Sequence, residues 1–108
     1  MNQLPDTFAA LGDATRFAIV ERLLNEGELS AGQLLEGIEI SPPAVSRHLK
    51  ILRSAGLLHQ RIDKQRRIYS VRPEAVQVIG AWTMSHREFW QSSLDRLEIA
   101  LSEEGHRK

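Results

Sequence analysis

The chain has 108 residues, 42% apolar and 26% charged, with no cysteine and a formal net charge of zero; this suits one compact domain over 1–108 and excludes disulfides, thiolate metal sites and thiol catalysis. No stretch approaches the roughly 18 apolar residues of a membrane span, and MNQLPDTF lacks the basic start and apolar run of a signal peptide, so a cytoplasmic protein is expected. The zero balance conceals an asymmetry, because residues 41–72 hold eight of the fourteen Lys and Arg against a single acid, Asp63, giving that segment +7 and the remainder −7.

Pro5 and Asp6 open a short helical turn that runs through Phe8 to Leu11 and stops at Gly12. Asp13 caps a second helix along DATRFAIVERLLNEG, where Phe17, Val20, Leu23 and Leu24 recur at helical spacing and predict one apolar stripe ending at Gly27. Ser30 is placed to cap a short third helix whose Leu34, Leu35 and Ile38 face inward. Ser41, with Pro42 and Pro43 after it, starts a fourth that runs to about Ala55 and ends at Gly56. The join from Gly37 to Ile40 has the length of the turn in a helix-turn-helix.

Leu58 with Ile62, and Tyr69 with Val71, alternate around Asp63-Lys64-Gln65-Arg66 and predict a two-stranded hairpin. Its tip has no glycine, so a loop of about four residues is expected in place of a tight two-residue turn. Pro73 begins a last helical region of good helix formers, with one weak point at Gly80. The result is a mainly α fold with one β hairpin: a winged helix-turn-helix with an N-terminal helix before it and a long C-terminal dimerisation helix over about 73–103 after it.

The reading helix is expected at about 41–55 and the wing at about 57–72. On the helix, Val45, Leu49 and Leu52 share one side while Pro43, Arg47, Lys50 and Ser54 fall opposite, flanked by Ala44 and Ser46. Such a helix fits a major groove of double-stranded DNA, with Arg47 pairing bidentately with guanine and Ser41, Ser46 and Lys50 positioning the backbone. His48 projects near the apolar stripe and reads equally as a wedged internal histidine or a DNA contact. Lys64, Gln65, Arg66 and Arg67 at the wing tip extend the footprint; if about six phosphates per subunit are neutralised, log affinity falls by roughly 0.9 per phosphate with log salt.

Along AWTMSHREFWQSSLDRLEIALSE, Trp82, Phe89, Trp90, Leu94, Leu97 and Leu101 form a broad aromatic and aliphatic stripe that includes both tryptophans. Its most economical cover is a second copy in a twofold dimer, with Leu4, Phe8 and Leu11 beside it and His86 as an interface histidine. A stripe that folds back on its own domain, a cofactor pocket lined by Trp82 and Phe89, or a protein-interaction module with only non-specific DNA affinity are the alternatives. A dimer would hold two reading helices roughly 34 Å apart, one DNA turn. The four histidines, at 48, 59, 86 and 106, make no nucleophile-and-base arrangement, so no enzyme is expected and no metal or cofactor is required.

FAALGDATRFAIVERLL, the SPPAVSRHLKILRSAGLL helix and the RRIYSV strand together resemble the ArsR/SmtB family of winged-helix regulators over roughly residues 5 to 100. Ser46-Arg47-His48-Leu49 with Leu52 and Ala55-Gly56-Leu57 is the most specific piece, and Asp13-Ala14-Thr15-Arg16 is a second marker. The resemblance implies a homodimeric repressor on a palindromic operator, released by a signal whose identity the sequence does not name. Arg16 reads as an internal ion pair or as a phosphate contact. Many members of that family bind thiophilic metals through two cysteines in a stretch like Glu-Leu-Cys-x-Cys, where this chain has Glu28-Leu29-Ser30-Ala31-Gly32. Others use C-terminal Asp, His and Glu ligands, where this chain offers His86 and Glu88, with His106 beyond. These cannot complete a four-ligand zinc site in one chain, and a site shared across a dimer is the remaining route.

Overall fold

The computed structural model describes residues 3–105, and three of its helices begin at side-chain caps, Asp13, Ser30 and Ser41. The chain divides into one unit up to Gln77 and another from Val78. In the first, α1 (Leu4–Leu11) has proline in its first turn and ends at Gly12. Helix α2 (Ala14–Glu26) starts at Asp13, whose carboxylate accepts from the Arg16 backbone N–H at 3.0 Å. That bond is the main reason the Asp13 carboxyl sits below its ordinary range.

Ile19, Val20 and Leu23 are the buried residues of α2. Phe17 and Leu24, expected in the same stripe, are 49% and 57% exposed. The helical wheel gives the reason: both lie about 140–160° round from Ile19, beyond the arc that faces the core.

A two-residue strand that the alternation pattern did not reveal, β1 (Leu29–Ser30), precedes α3 (Ala31–Leu35). Five residues are too few to hold a helix unaided, and two devices fix this one. Ser30 and Gln33 form a capping box, each side chain accepting from the other's backbone N–H, at 3.1 and 2.8 Å. At the other end Arg22 Nη1 donates to the carbonyls of Gln33, Leu34 and Glu36 at 3.2, 3.4 and 3.0 Å, satisfying groups a helix end leaves open. Leu34 is fully buried, while Leu35 and Ile38 pack half-buried against the core, Ile38 from the turn and not from the helix. Gly37 makes that turn at φ +83°, a conformation side chains disfavour.

Helix α4 (Pro42–Ser54) is capped by Ser41, whose hydroxyl accepts from the Ala44 N–H at 3.3 Å. It terminates at Gly56, φ +78°. Strands β2 (Leu58–Asp63) and β3 (Arg66–Val71) follow, and the sheet has three antiparallel strands in the order β1-β3-β2, not the two expected. Leu29 pairs with Tyr69 and Ser30 with Ile68. Asp63 pairs with Arg66, leaving a two-residue loop in place of the expected four-residue one. Lys64 takes φ +60° there, so a lysine occupies the left-handed position usually given to glycine.

The core of this unit joins Ile19, Val20 and Leu23 to Leu34, to Val45, Leu49 and Leu52 of α4, and to Leu57, Leu58 and Tyr69. Each such burial removes apolar surface worth about 1.5–3 kcal/mol from water. Helix α5 (Pro73–Ser85) begins here, with Ala75 buried in the same core.

The second unit contains the rest of α5 and α6 (Arg87–Gly105). The helical region breaks at His86, not at Gly80, which lies inside α5. His86 Nδ1 is 3.0 Å from the Trp82 carbonyl and the rings of Trp82 and His86 meet tilted at 5.3 Å, so the histidine closes the end of α5.

Candidate nucleic-acid interface

Helix α4 divides as its sequence requires. Val45, Leu49 and Leu52 are 1, 2 and 0% exposed, anchoring one side in the core, while Pro43, Ser46, Arg47, Lys50 and Ser54 are exposed on the other. Ala44 is half-buried at its margin. Neither Arg47 nor Lys50 has an ion pair or hydrogen bond among the described residues. Ser41 uses one lone pair as the helix cap and keeps its O–H free to donate.

His48 belongs to a different environment. It is half-buried, with Nδ1 3.3 Å from Arg16 Nη1, while Arg16 Nε donates to the Ala10 carbonyl at 2.7 Å. Arg16 therefore joins the end of α1 to α4. His48 thus has an internal partner, and Arg16 holds a carbonyl and an imidazole without an ion pair among the described residues. Nδ1 must accept from the guanidinium, which cannot accept in return, so a neutral ring carries its hydrogen on Nε2.

On the wing, Lys64, Gln65, Arg66 and Arg67 are all exposed. Arg66 leans toward Asp63 at 3.6 Å, whereas Lys64 and Arg67 have no partner among the described residues. Arg61, counted in the cationic segment, is turned elsewhere. Its Nε and Nη2 donate to Glu28 Oε2 and Oε1 at 2.8 and 3.2 Å. This forked pair, chiefly through its hydrogen bonds, holds the Glu28 carboxyl below its ordinary range and ties β2 to the approach to β1. Sequence reading missed it because the two residues stand 33 apart.

In the second unit, Trp82 and Trp90 are each 40% exposed, and Phe89, Leu94, Leu97 and Leu101 are 56–60% exposed. Phe89 and Trp90 meet edge to face at 4.9 Å. In the first unit Phe8 is 42% exposed, but Leu4 is only 6% exposed and Leu11 packs half-buried on the core. The placement of Leu4 on a dimer surface is thus corrected, since α1 turns it inward and it leaves no apolar surface for a second copy, while Leu11 stays partly exposed.

The sequence profile of the helix-turn-helix domain matches residues 11–61. The HTH-type transcriptional regulator Rv2034 of Mycobacterium tuberculosis is 38% identical over 102 residues, spanning 94% of this chain and 92% of the relative. The arsenic resistance transcriptional regulator ArsR1 of Pseudomonas putida is 35% identical over 103 residues, 95% of this chain and 80% of the relative. The chain belongs to the ArsR family. A crystal structure of an ArsR-family transcriptional regulator superposes with a TM-score of 0.73 at 27% identity, covering 83% of this chain and 92% of that one.

As an ArsR-family protein the chain is a DNA-binding transcriptional regulator, and the family is not one of enzymes. The residues at the family's cysteine positions do not fit a thiophilic metal. Ser30 offers a hydroxyl already engaged in the capping box, Gly32 has no side chain, and Glu28 is held by Arg61. Among the described residues no three His, Cys, Asp or Glu side chains gather as a metal site, and His106 lies outside them. No described helix is long and apolar enough to cross a membrane.

Proposed function

We propose that this ArsR-family regulator is a homodimeric repressor of an inverted-repeat operator that works without a thiolate metal. The observation that carries the reading is the unpaired, exposed state of Arg47 and Lys50 on a helix whose other side is locked in the core. A rigid α4 presents Arg47 to base edges, where a guanidinium matches the two acceptors of guanine, and Lys50, Ser46 and Ser41 to the flanking backbone. Lys64 and Arg67 reach phosphates from the wing, with Gln65 and Arg66 beside them. Pro43 and Ala44 let the helix approach closely, and His48 acts through Arg16 on the tilt of α4.

The exposed stripe of Trp82, Phe89, Trp90, Leu94, Leu97 and Leu101, with His86 on the same unit, supports pairing of two copies, since exposed apolar side chains gathered along one helical region mark an interaction surface. Occupancy of an operator by such a dimer bars other proteins from the same grooves, which is the basis for a repressing sense. The test is selection of bound duplexes from a random pool with purified protein. An inverted repeat with half-sites one helical turn apart is expected; recovery of no shared motif at physiological salt rejects the reading.

A further inference from the structure

Beside the reading face, and sharing Lys50 with it, the first unit holds a second cationic feature, a recess. A cleft of about 410 Å³ lies between the C-terminal half of α4 and the base of the wing. Lys50, Arg53, His59 and Arg72 line it, with Ser54 and Gln60 as neutral donors and no carboxylate in its wall. The backbone fixes this gathering. The Arg72 N–H donates to the Leu57 carbonyl at 2.9 Å, and His59 is paired with Ser70, so the end of β3 is pinned beside the junction of α4 and β2.

The charges here are not consumed internally. Lys50 and Arg53 have no ion pair among the described residues, and Arg72 has a long one, 3.7 Å to Glu74, with its own side chain about half exposed and that of Glu74 largely so. Arg53 also complements the negative end of α4, a role any cation there would fill. That role does not explain two arginines, a lysine and an imidazole converging on one hollow. A recess lined by one sign of charge concentrates its field, and the forked guanidinium suits tetrahedral oxyanions.

We infer that this cleft binds a phosphate group through Lys50, Arg53, His59 and Arg72. Two sources offer that chemistry: the backbone of the bound duplex, in which case the cleft adds a contact beyond the reading helix and wing tip and rests on the DNA-binding reading, or a free phosphorylated small molecule, which would share Lys50 with the duplex.

The experiment follows the His59 ring and the Arg53 and Arg72 side-chain N–H signals by NMR, titrating the intact protein with inorganic pyrophosphate and separately with a short duplex of arbitrary sequence. Both probes are expected to move these signals, and pyrophosphate is expected to move them before those of Arg47 and Arg67. Movement with pyrophosphate and not with duplex upholds the cleft and assigns it to a free phosphorylated molecule. If the duplex binds nowhere while pyrophosphate still fills the cleft, the DNA reading fails and the cleft stands. Signals unmoved by either probe, or moved by pyrophosphate no more than those of Arg47 and Arg67, overturn the inference. On the duplex, Arg53→Gln and Arg72→Gln are each expected to reduce the log–log salt slope by about 0.9 per lost phosphate while preserving sequence preference; shifts with duplex but slopes unchanged in both folded variants reject the backbone assignment.

Discussion

Arg47 and Lys50 stand one turn apart on α4, yet they differ in what they can discriminate. A planar guanidinium meets two acceptors at once, while an ammonium is a point charge that finds a phosphate as readily as a base. Arg47→Ala is therefore expected to weaken operator binding by about 1–3 kcal/mol and to relax preference at one base position, measured by fluorescence anisotropy across single-base operator variants. Unaltered selectivity would assign the reading elsewhere. Arg16 and His48 show where sequence reading stops at this scale. Arg16 falls about 60° from Ile19 on α2, within the arc that faces the core, so its inward role was encoded in the helical period. Its partners, the Ala10 carbonyl and His48, depend on how α1 and α4 pack, which no local pattern records. Arg22 is similar: a surface arginine by spacing, it holds the end of α3 through three carbonyls.

Helices in this chain were legible because caps and apolar periods mark them within a few residues. Asp13, Ser30 and Ser41 all cap as read. Strand β1 escaped because two residues cannot display an alternation, and it exists through pairing with β3. The tight wing turn escaped because local preference opposed a lysine at positive φ, and the six-residue register of β2 with β3 overrode it. The Glu28–Arg61 fork fastens this sheet from outside. Because the folded state lowers the Glu28 carboxyl, the fork's contribution is complete above the ordinary glutamate range and is lost as pH falls below that range through the lowered folded value. Asp13, lowered in the same sense, loses its cap contribution at still lower pH. Melting temperature followed from neutral pH to about 3.5 is expected to fall less steeply in Glu28→Gln than in the parent; parallel curves would show that the fork adds nothing.

For the molecule as a whole, two properties were visible in the sequence: a cationic segment over residues 41–72 and an apolar stripe running from Trp82 of α5 along α6. The break at His86 was not visible, since nothing in the helix-forming composition of residues 73–103 marks it. If the stripe pairs two copies, Leu94→Asp with Leu97→Asp is expected to give a folded monomer by light scattering, with operator affinity lowered by at least tenfold. A variant that stays dimeric would place the interface off α6. The exposed cations of α4 and the wing, set against a remainder of equal and opposite charge, also govern how the free protein behaves in a tube. Near its isoelectric point of about 6.9, copies lack mutual repulsion, and the positive segment of one attracts the acidic remainder of the next. Dilute buffer at neutral pH is then the poorest solvent for the purified protein; added electrolyte salts it in by the same screening that loosens its hold on DNA.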